Sequence, residues 1–277
     1  MPDISPRPAT SCEVTVQRWR DGENVRVIDH VAEEVPVALV YHGVPHVVML
    51  STPADLEDLA VGFTLSESIV SNRAEIQSVE ALQREDGALE VRLGIAAPRF
   101  SELLRRQRNL TGRTGCGLCG AQTVEEAIRN PAPVSGGIDV DATALHEALV
   151  DLKRRQDINS RTGSVHAAAW VLPEAGIQIV REDVGRHNAL DKVIGAVTRA
   201  GGDFSEGYFV VTSRASYEMV QKAVTVGGTF LAAVSAPTAF AIRLAEASGL
   251  TLVGFAREHQ HVVYAHPARL NSCTSIT

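Results

Sequence analysis

Residues 208–255 read YFVVTSRASYEMVQKAVTVGGTFLAAVSAPTAFAIRLAEASGLTLVGF. Three apolar runs, Tyr208 to Thr212, Thr229 to Ser235 and Leu250 to Phe255, have the length and composition of buried strands. The segments between them, Ser216 to Val226 and Thr238 to Ser248, carry helical patterns. Parallel neighbours need a crossover long enough to hold a helix, so this alternation predicts a layered α/β domain with a mostly parallel sheet. The same character extends outward. Ser164 to Leu172, Ile177 to Val180 and His261 to His266 read as strands, Asn188 to Arg199 reads as a helix, and Asp141 is placed to cap a helix running to Arg155.

The amino-terminal half differs. Val14 and Val16 alternate with polar residues, Val25, Val27 and Val31 follow, and Val37 to Val40 and Val47 to Leu50 flank a turn at Gly43, all hairpin signals. One helix is expected from Asp55 to Ser66, with Leu56, Leu59, Ala60 and Phe63 on one face and an acidic first turn. Ile76 to Leu82 and Leu89 to Leu93 read as strands meeting at Asp86-Gly87. Pro98 opens a helix ending near Arg105 to Arg108, and a glycine-rich loop follows from Asn109 to Gly120. The expected division is therefore a flexible N-terminus (1–12), a smaller β-rich part ending in the cysteine loop (13–130) and an α/β cofactor-binding domain (131–277).

With 26 Lys plus Arg against 33 Asp plus Glu, the 277-residue chain carries a formal charge of −7, which argues against a general nucleic-acid binder. Two twenty-residue stretches, Val35 to Ala54 and Ala223 to Ile242, lack charge, but their prolines, histidines and glycines mark buried strands and turns, not a membrane span. Four cysteines in so long a chain are too few for a disulfide scaffold, and Met1 to Thr10 lacks the basic and apolar regions of a signal peptide. A reducing compartment is expected.

Thr114-Gly-Cys116-Gly-Leu-Cys119-Gly120 is the sharpest chemical signal. Thiols at this spacing can hold a metal, form a disulfide, or divide the roles of nucleophile and neighbour. Nearby Arg113 and a helix starting after Cys119 would favour a thiolate, and the glycines suit a loop that hands a group between sites. Half of a zinc site is the bland reading. A closed site needs four ligands, no second C-x-x-C exists, and among His166, His187, His259, His261 and His266 only His259 and His261 have a paired spacing. A zinc deaminase would need H-x-E before P-C-x-x-C, and here Gly115 precedes Cys116 while His166 lacks the glutamate. A thioredoxin-like motif would follow a strand directly, whereas a long loop intervenes here.

A second group of signals lies where strands give way to helices: Arg181 to Lys192, Thr212 to Ser216, Ser235 to Thr238, and Phe255 to Glu258 at the end of the last parallel-type strand. Each alone is an ordinary capped turn with exposed arginines. In series along a parallel sheet they make a rim for a large phosphorylated ligand, with Arg214 in the Thr212 to Ser216 cluster and with Arg186, His187 and Lys192 expected to add charge for phosphates.

Taken together, Arg113 to Gly120, Glu182 to Lys192 (EDVGRHNALDK), Glu218 to Ala223, Ser235 to Thr238, Gly249 to Phe255, and Thr52-Pro53 with the Glu57 to Ser68 helix resemble the FdhD family. The resemblance runs in order from about Glu33 to Arg269. It implies a cytoplasmic sulfurtransferase with a cytidine-deaminase-like α/β domain, working as a homodimer. Such a protein takes persulfide sulfur from a cysteine desulfurase. It passes that sulfur to the molybdenum or tungsten centre of the bis(molybdopterin guanine dinucleotide) cofactor, activating formate dehydrogenase. By position, Cys116 would bear the persulfide and Cys119 would assist or resolve it. The cofactor's guanine nucleotide moiety would meet Phe255, Ala256, Arg257, Glu258, His259 and Gln260, and the protein itself would hold no metal. The chain departs from the family where a glycine usually follows the arginine, here Glu258, and at Ser213 and Ser164, where glycines are common. A zinc-stapled nucleotide-binding module and a non-catalytic cofactor chaperone are the competing readings.

Overall fold

The computed structural model describes residues 9–108 and 131–271. The chain opens with a hairpin, β1 (Ser11–Arg20) and β2 (Glu23–Ala32), which forms a two-stranded sheet of its own. Ser11 and Cys12 pair with Ala32 and Val31, so regular structure begins inside the segment expected to be a flexible N-terminus. Next come β3 (Val35–Tyr41), β4 (Val44–Ser51), α1 (Leu56–Ser66), β5 (Ile76–Gln83), β6 (Leu89–Ile95) and α2 (Ala97–Arg108). These four strands form one sheet in the order β4-β3-β6-β5. His42 and Gly43, both at positive φ, make the tight β3–β4 turn.

Beyond residue 131 follow β7 (Val140–Asp141), α3 (Ala142–Arg154), α4 (Asp157–Thr162), β8 (His166–Leu172), β9 (Gly176–Asp183), α5 (Arg186–Arg199), β10 (Tyr208–Val211), α6 (Tyr217–Thr225), β11 (Phe230–Ala233), α7 (Ala239–Ser248), β12 (Thr251–Arg257), β13 (Gln260–Ala265) and β14 (Leu270–Asn271). The Asp141 carboxylate accepts the Thr143 and Ala144 N–H groups and starts α3, as the sequence predicts. The one-turn helix α4 was not expected, because six residues are too few to show a helical period.

The main sheet has six strands in the order β13-β12-β11-β10-β8-β9. The contacts β10–β11 and β11–β12 are parallel, and the outer ones are antiparallel. Strands β9, β10, β11 and β12 therefore share a direction, giving the layered α/β arrangement expected from residues 208–255. Period-two alternation sorts the core. Ala168, Trp170, Phe209, Val211, Leu231, Ala233 and Leu252 face α5, α6 and α7. Ala167, Ala169, Val171, Tyr208, Val210, Phe230, Ala232 and Val253 face Leu145, Ala148, Leu149 and Leu152 of α3.

The first of these two cores continues through α1 into the four-stranded sheet, where Val37, Leu39, Tyr41, Val91, Leu93 and Ile95 join it. Helix α1 lies between that sheet and α5, so it is buried nearly all round instead of on the single face expected. A Cβ on Gly62 would lie 1.7 Å from the Asp191 carbonyl oxygen, and one on Gly195 would lie 1.8 Å from that of Asp58. Only glycine at both positions allows α1 and α5 to approach backbone to backbone. Among the described residues, no helix is long and apolar enough to cross a membrane.

Candidate functional site

Because β8 runs against its neighbours, its amino end lies beside the carboxyl ends of β9, β10, β11 and β12 along one edge of the sheet. Backbone bonds keep the loops of this rim in register beyond the strands. Thr212 N–H donates to the Ala167 carbonyl at 3.0 Å, Thr238 N–H to that of Ala215 at 3.0 Å, and Phe255 N–H to that of Ser235 at 3.2 Å. The rim thus carries His166, Arg186 with His187, Arg214, Ser235, and Phe255 to Arg257. The four clusters singled out in the sequence lie on one edge because that edge is where an open α/β sheet presents its strand ends.

Arg186 and His187 are the first two residues of α5, and Arg214 is exposed in the loop before α6. His187 Nε2 lies 2.7 Å from the Glu218 carboxylate in the first turn of α6, tying the two helix starts together. Burial works against the Glu218 charge, but His187, with Lys222 and Arg186 beyond it, holds the carboxyl below its ordinary range. His166, partly buried at the start of β8, is pushed the other way. Burial first, then the guanidinium groups of Arg186 and Arg214, disfavour its imidazolium form. Both arginines of this part of the rim therefore act on the His166 ring.

Helices α5 and α6 start at Gly185 and Ser216 without a side-chain cap, whereas Thr238 caps α7 by accepting the Ala241 N–H. The Ser216 hydroxyl and Arg186 Nε are buried, with no hydrogen-bond partner among the described residues. Uncapped helix starts, two arginines and two unspent donors together make a polar environment matched to phosphate oxygens.

The far end of the rim is built on a bulge. The β12–β13 ladder slips between Gly254 and Arg257, and Phe255 adopts φ +49°. An L-residue in this region costs about 1–2 kcal/mol, and here the left-handed turn leaves the ring exposed at the sheet edge. Gly254 is required because a Cβ there would meet Pro237 Cδ at 2.7 Å. Arg257, Glu258, His259 and Gln260 are exposed, whereas the Ala256 side chain is buried in the core beneath α3 and offers the rim only its backbone. Cys116 and Cys119 lie outside the described residues, so their geometry relative to the rim is not part of the structure.

Much of the polar signature at 182–192 proves to be framework. Asp183 is fully buried and accepts from the Ser51 hydroxyl at 2.6 Å, the Thr52 N–H at 3.1 Å, the Gly185 N–H at 2.8 Å and the Asn188 amide at 3.0 Å. Its ion pair with Lys192 spans 2.6 Å, with both side chains wholly inaccessible, so Lys192, expected from the sequence to add charge for phosphates, is instead spent on Asp183 inside the fold. Glu182 accepts the Ile158 and Asn159 N–H groups at 2.8 Å each and holds the start of α4. Asp191 pairs with Lys222 at 2.9 Å and accepts the Ser66 hydroxyl at 2.6 Å. Burial opposes the Lys222 charge, but Asp191 and Glu67 outweigh it and hold the lysine above its ordinary range. His166 was weighed in the sequence only as a zinc ligand. Its rim position follows from pairing with Asp183 across β8 and β9, which no local spacing reveals. Among the described residues, no group of three or more His, Cys, Asp or Glu side chains is arranged to hold a metal ion.

The FdhD/NarQ family model matches residues 32–271. The chain belongs to the FdhD/NarQ family. This FdhD/NarQ chain is 52% identical over 269 residues to the sulfur carrier protein FdhD of Cupriavidus necator, covering 97% of the chain and 93% of that relative. It is 51% identical over 257 residues to the protein of the same name from Xanthomonas euvesicatoria, covering 93% and 91%. The crystal structure of a candidate formate dehydrogenase accessory protein from Desulfotalea psychrophila superposes with a TM-score of 0.75 at 21% identity, over 95% of this chain and all of that one. That likeness speaks to the fold. The FdhD/NarQ match runs from the last residue of β2 to the last residue of β14, so it takes in both large sheets, the rim and the C-x-x-C motif.

Proposed function

We propose that this FdhD/NarQ protein is a sulfurtransferase for the maturation of formate dehydrogenase, working through a persulfide on Cys116. The observation that carries the reading is identity of just over half to sulfur carrier proteins FdhD along nearly the whole chain, together with a rim suited to a large phosphorylated substrate.

In the first step the Cys116 thiolate attacks the outer sulfur of a desulfurase persulfide. A new S–S bond forms on Cys116, and the desulfurase cysteine leaves as its thiolate. In the second step the Cys119 thiolate attacks Cys116 Sγ, forming a Cys116–Cys119 disulfide and expelling the outer sulfur as hydrosulfide toward the substrate's metal. The electron pair comes from the two cysteines, and a dithiol reductant restores them for the next cycle.

The substrate is the bis(molybdopterin guanine dinucleotide) cofactor on its way to formate dehydrogenase. Arg186 and Arg214, with the free starts of α5 and α6, hold its phosphates, and the Phe255 to Gln260 hairpin holds a guanine nucleotide moiety. His187, fixed by Glu218, keeps the start of α5 in place. The reading includes a cytoplasmic setting and a pair of identical chains.

Mass spectrometry after incubation with a desulfurase and cysteine tests it. The expected result is a gain of one sulfur on the peptide holding Cys116, lost in Cys116→Ala. A variant that binds guanosine diphosphate and still activates the dehydrogenase without that cysteine would leave only a passive cofactor chaperone. A stoichiometric metal that survives dialysis would favour a zinc-stapled module.

A further inference from the structure

Of the chain's seven phenylalanines, Phe63, Phe100, Phe204, Phe209 and Phe230 are buried or half-buried. The two exposed ones, Phe240 at 37% and Phe255 at 38%, both belong to the rim. A single apolar side chain at a surface is ordinary, but two rings left to water on one polar edge mark a surface that a flat ligand can cover. Phe255 opens the hairpin already assigned to a guanine nucleotide moiety, whereas Phe240 has no part in the function proposed above.

Phe240 is the second residue of α7, and its ring lies parallel to that of Tyr217, the first residue of α6, with 4.4 Å between centroids and 9° between planes. Tyr217 is buried, so the stack fixes the Phe240 ring in place. Both rings stand at helix starts, and Ser216, with its unpartnered hydroxyl, immediately precedes Tyr217. The 235–238 loop links this stack to the hairpin. Ser235 accepts the Phe255 N–H, and Pro237 packs on Gly254, where a Cβ would meet its Cδ at 2.7 Å. Phe240 is three residues from Pro237, so its Cα lies within about 11 Å of that proline by any path of the chain. Arg243, one turn along α7, places its guanidinium 5.5 Å from the Phe240 centroid and makes no hydrogen bond or ion pair among the described residues.

We infer that Phe240, backed by Tyr217 and accompanied by Arg243, is a second stacking platform on the rim, taking a second planar heterocycle of the phosphorylated substrate while the Phe255 hairpin takes the first. The inference rests on the nucleotide-binding rim proposed above and adds a specificity to it: two flat rings joined through phosphates are preferred to one. Charge selects this occupant over an aromatic side chain of a protein partner. Arg214 and Arg243 are exposed and unneutralised, and the carboxylate beside Tyr217, Glu218, is already taken by His187. A heterocycle that brings phosphate charge with it answers both the rings and the cations, since bases stack on aromatic and guanidinium planes alike.

Calorimetry with guanosine diphosphate and diguanosine pyrophosphate tests the inference on the full chain and on Phe240→Leu, which keeps an apolar cover over Tyr217 but removes the flat ring. The charge difference between the two ligands cancels when each is compared across the two proteins. The expected result is that Phe240→Leu binds the dinucleotide roughly five- to a hundredfold more weakly than the natural chain and guanosine diphosphate equally well, with Phe240→Tyr restoring the dinucleotide. Equal weakening of both ligands would overturn the platform and leave Phe240 a support of the rim. No weakening of either would also overturn it, leaving the stack to a protein side chain. A natural chain that binds neither ligand would overturn the nucleotide rim together with the platform, and none of these outcomes touches the persulfide test.

Discussion

Asp183 and Arg214 show how one rim divides its labour among side chains. Asp183→Ala would leave the Lys192 ammonium buried without its counter-charge, a loss of about 3–5 kcal/mol to be read from urea denaturation. Arg214→Ala removes an exposed side chain and should change stability by less than about 0.5 kcal/mol. Its expected effect lies in binding. One charge-assisted hydrogen bond of about 1.5–3 kcal/mol corresponds to roughly ten- to a hundredfold weaker guanosine diphosphate affinity by calorimetry. The sequence displayed both residues within polar clusters and could not separate them. Asp183 is spoken for by Ser51 and Thr52, more than 130 positions away, and such partners appear only when the chain is folded. The rim was legible because strand ends are punctuated by glycine, serine and arginine, whereas burial of the Ala256 side chain beneath α3 was not.

Among the elements, the α1–α5 crossing is the most constrained. Alanine in place of a mid-helix glycine ordinarily gains about 1 kcal/mol of helix propensity. Here a methyl group at residue 62 would fall on the Asp191 backbone, which cannot step aside as a side chain can. Overpacking of about 1–3 kcal/mol or more outweighs the gain. Gly62→Ala and Gly195→Ala should each lower the thermal midpoint, and a rise in either would show that the helices can separate freely. Strands β8 to β13 and helices α5 to α7 were readable because their apolar periods are regular. The surroundings of α1 were not, since its own pattern marks one apolar face while Asp58, Thr64 and Ser66 are buried by partners elsewhere in the chain. Asp58, read in sequence as favouring the helix start, instead takes up Arg181 at 2.8 Å and Arg199 at 2.5 Å.

For the molecule as a whole, titration follows from which groups resist charging. His146 and His166 are both held below the ordinary 6.5, His146 by burial and then by His261 and His259. Between 6.5 and those lowered values the unfolded chain binds protons that the folded chain refuses, so stability falls as pH drops through this window. Below it lies a second loss. Glu218 and Asp141 are held below their usual ranges, so the stability they contribute is present above their unfolded values near 4 and disappears as acid protonates them. Thermal midpoints measured from pH 8 to pH 3 should therefore decline in two stages, and His166→Gln should shrink the first and spare the second. The clamp on Asp183 also governs any attempt at a chimera. A foreign sheet grafted in place of the first fifty-two residues must end in a hydroxyl side chain followed by a free amide, or the recipient inherits a buried carboxylate oxygen that has lost two of its donors.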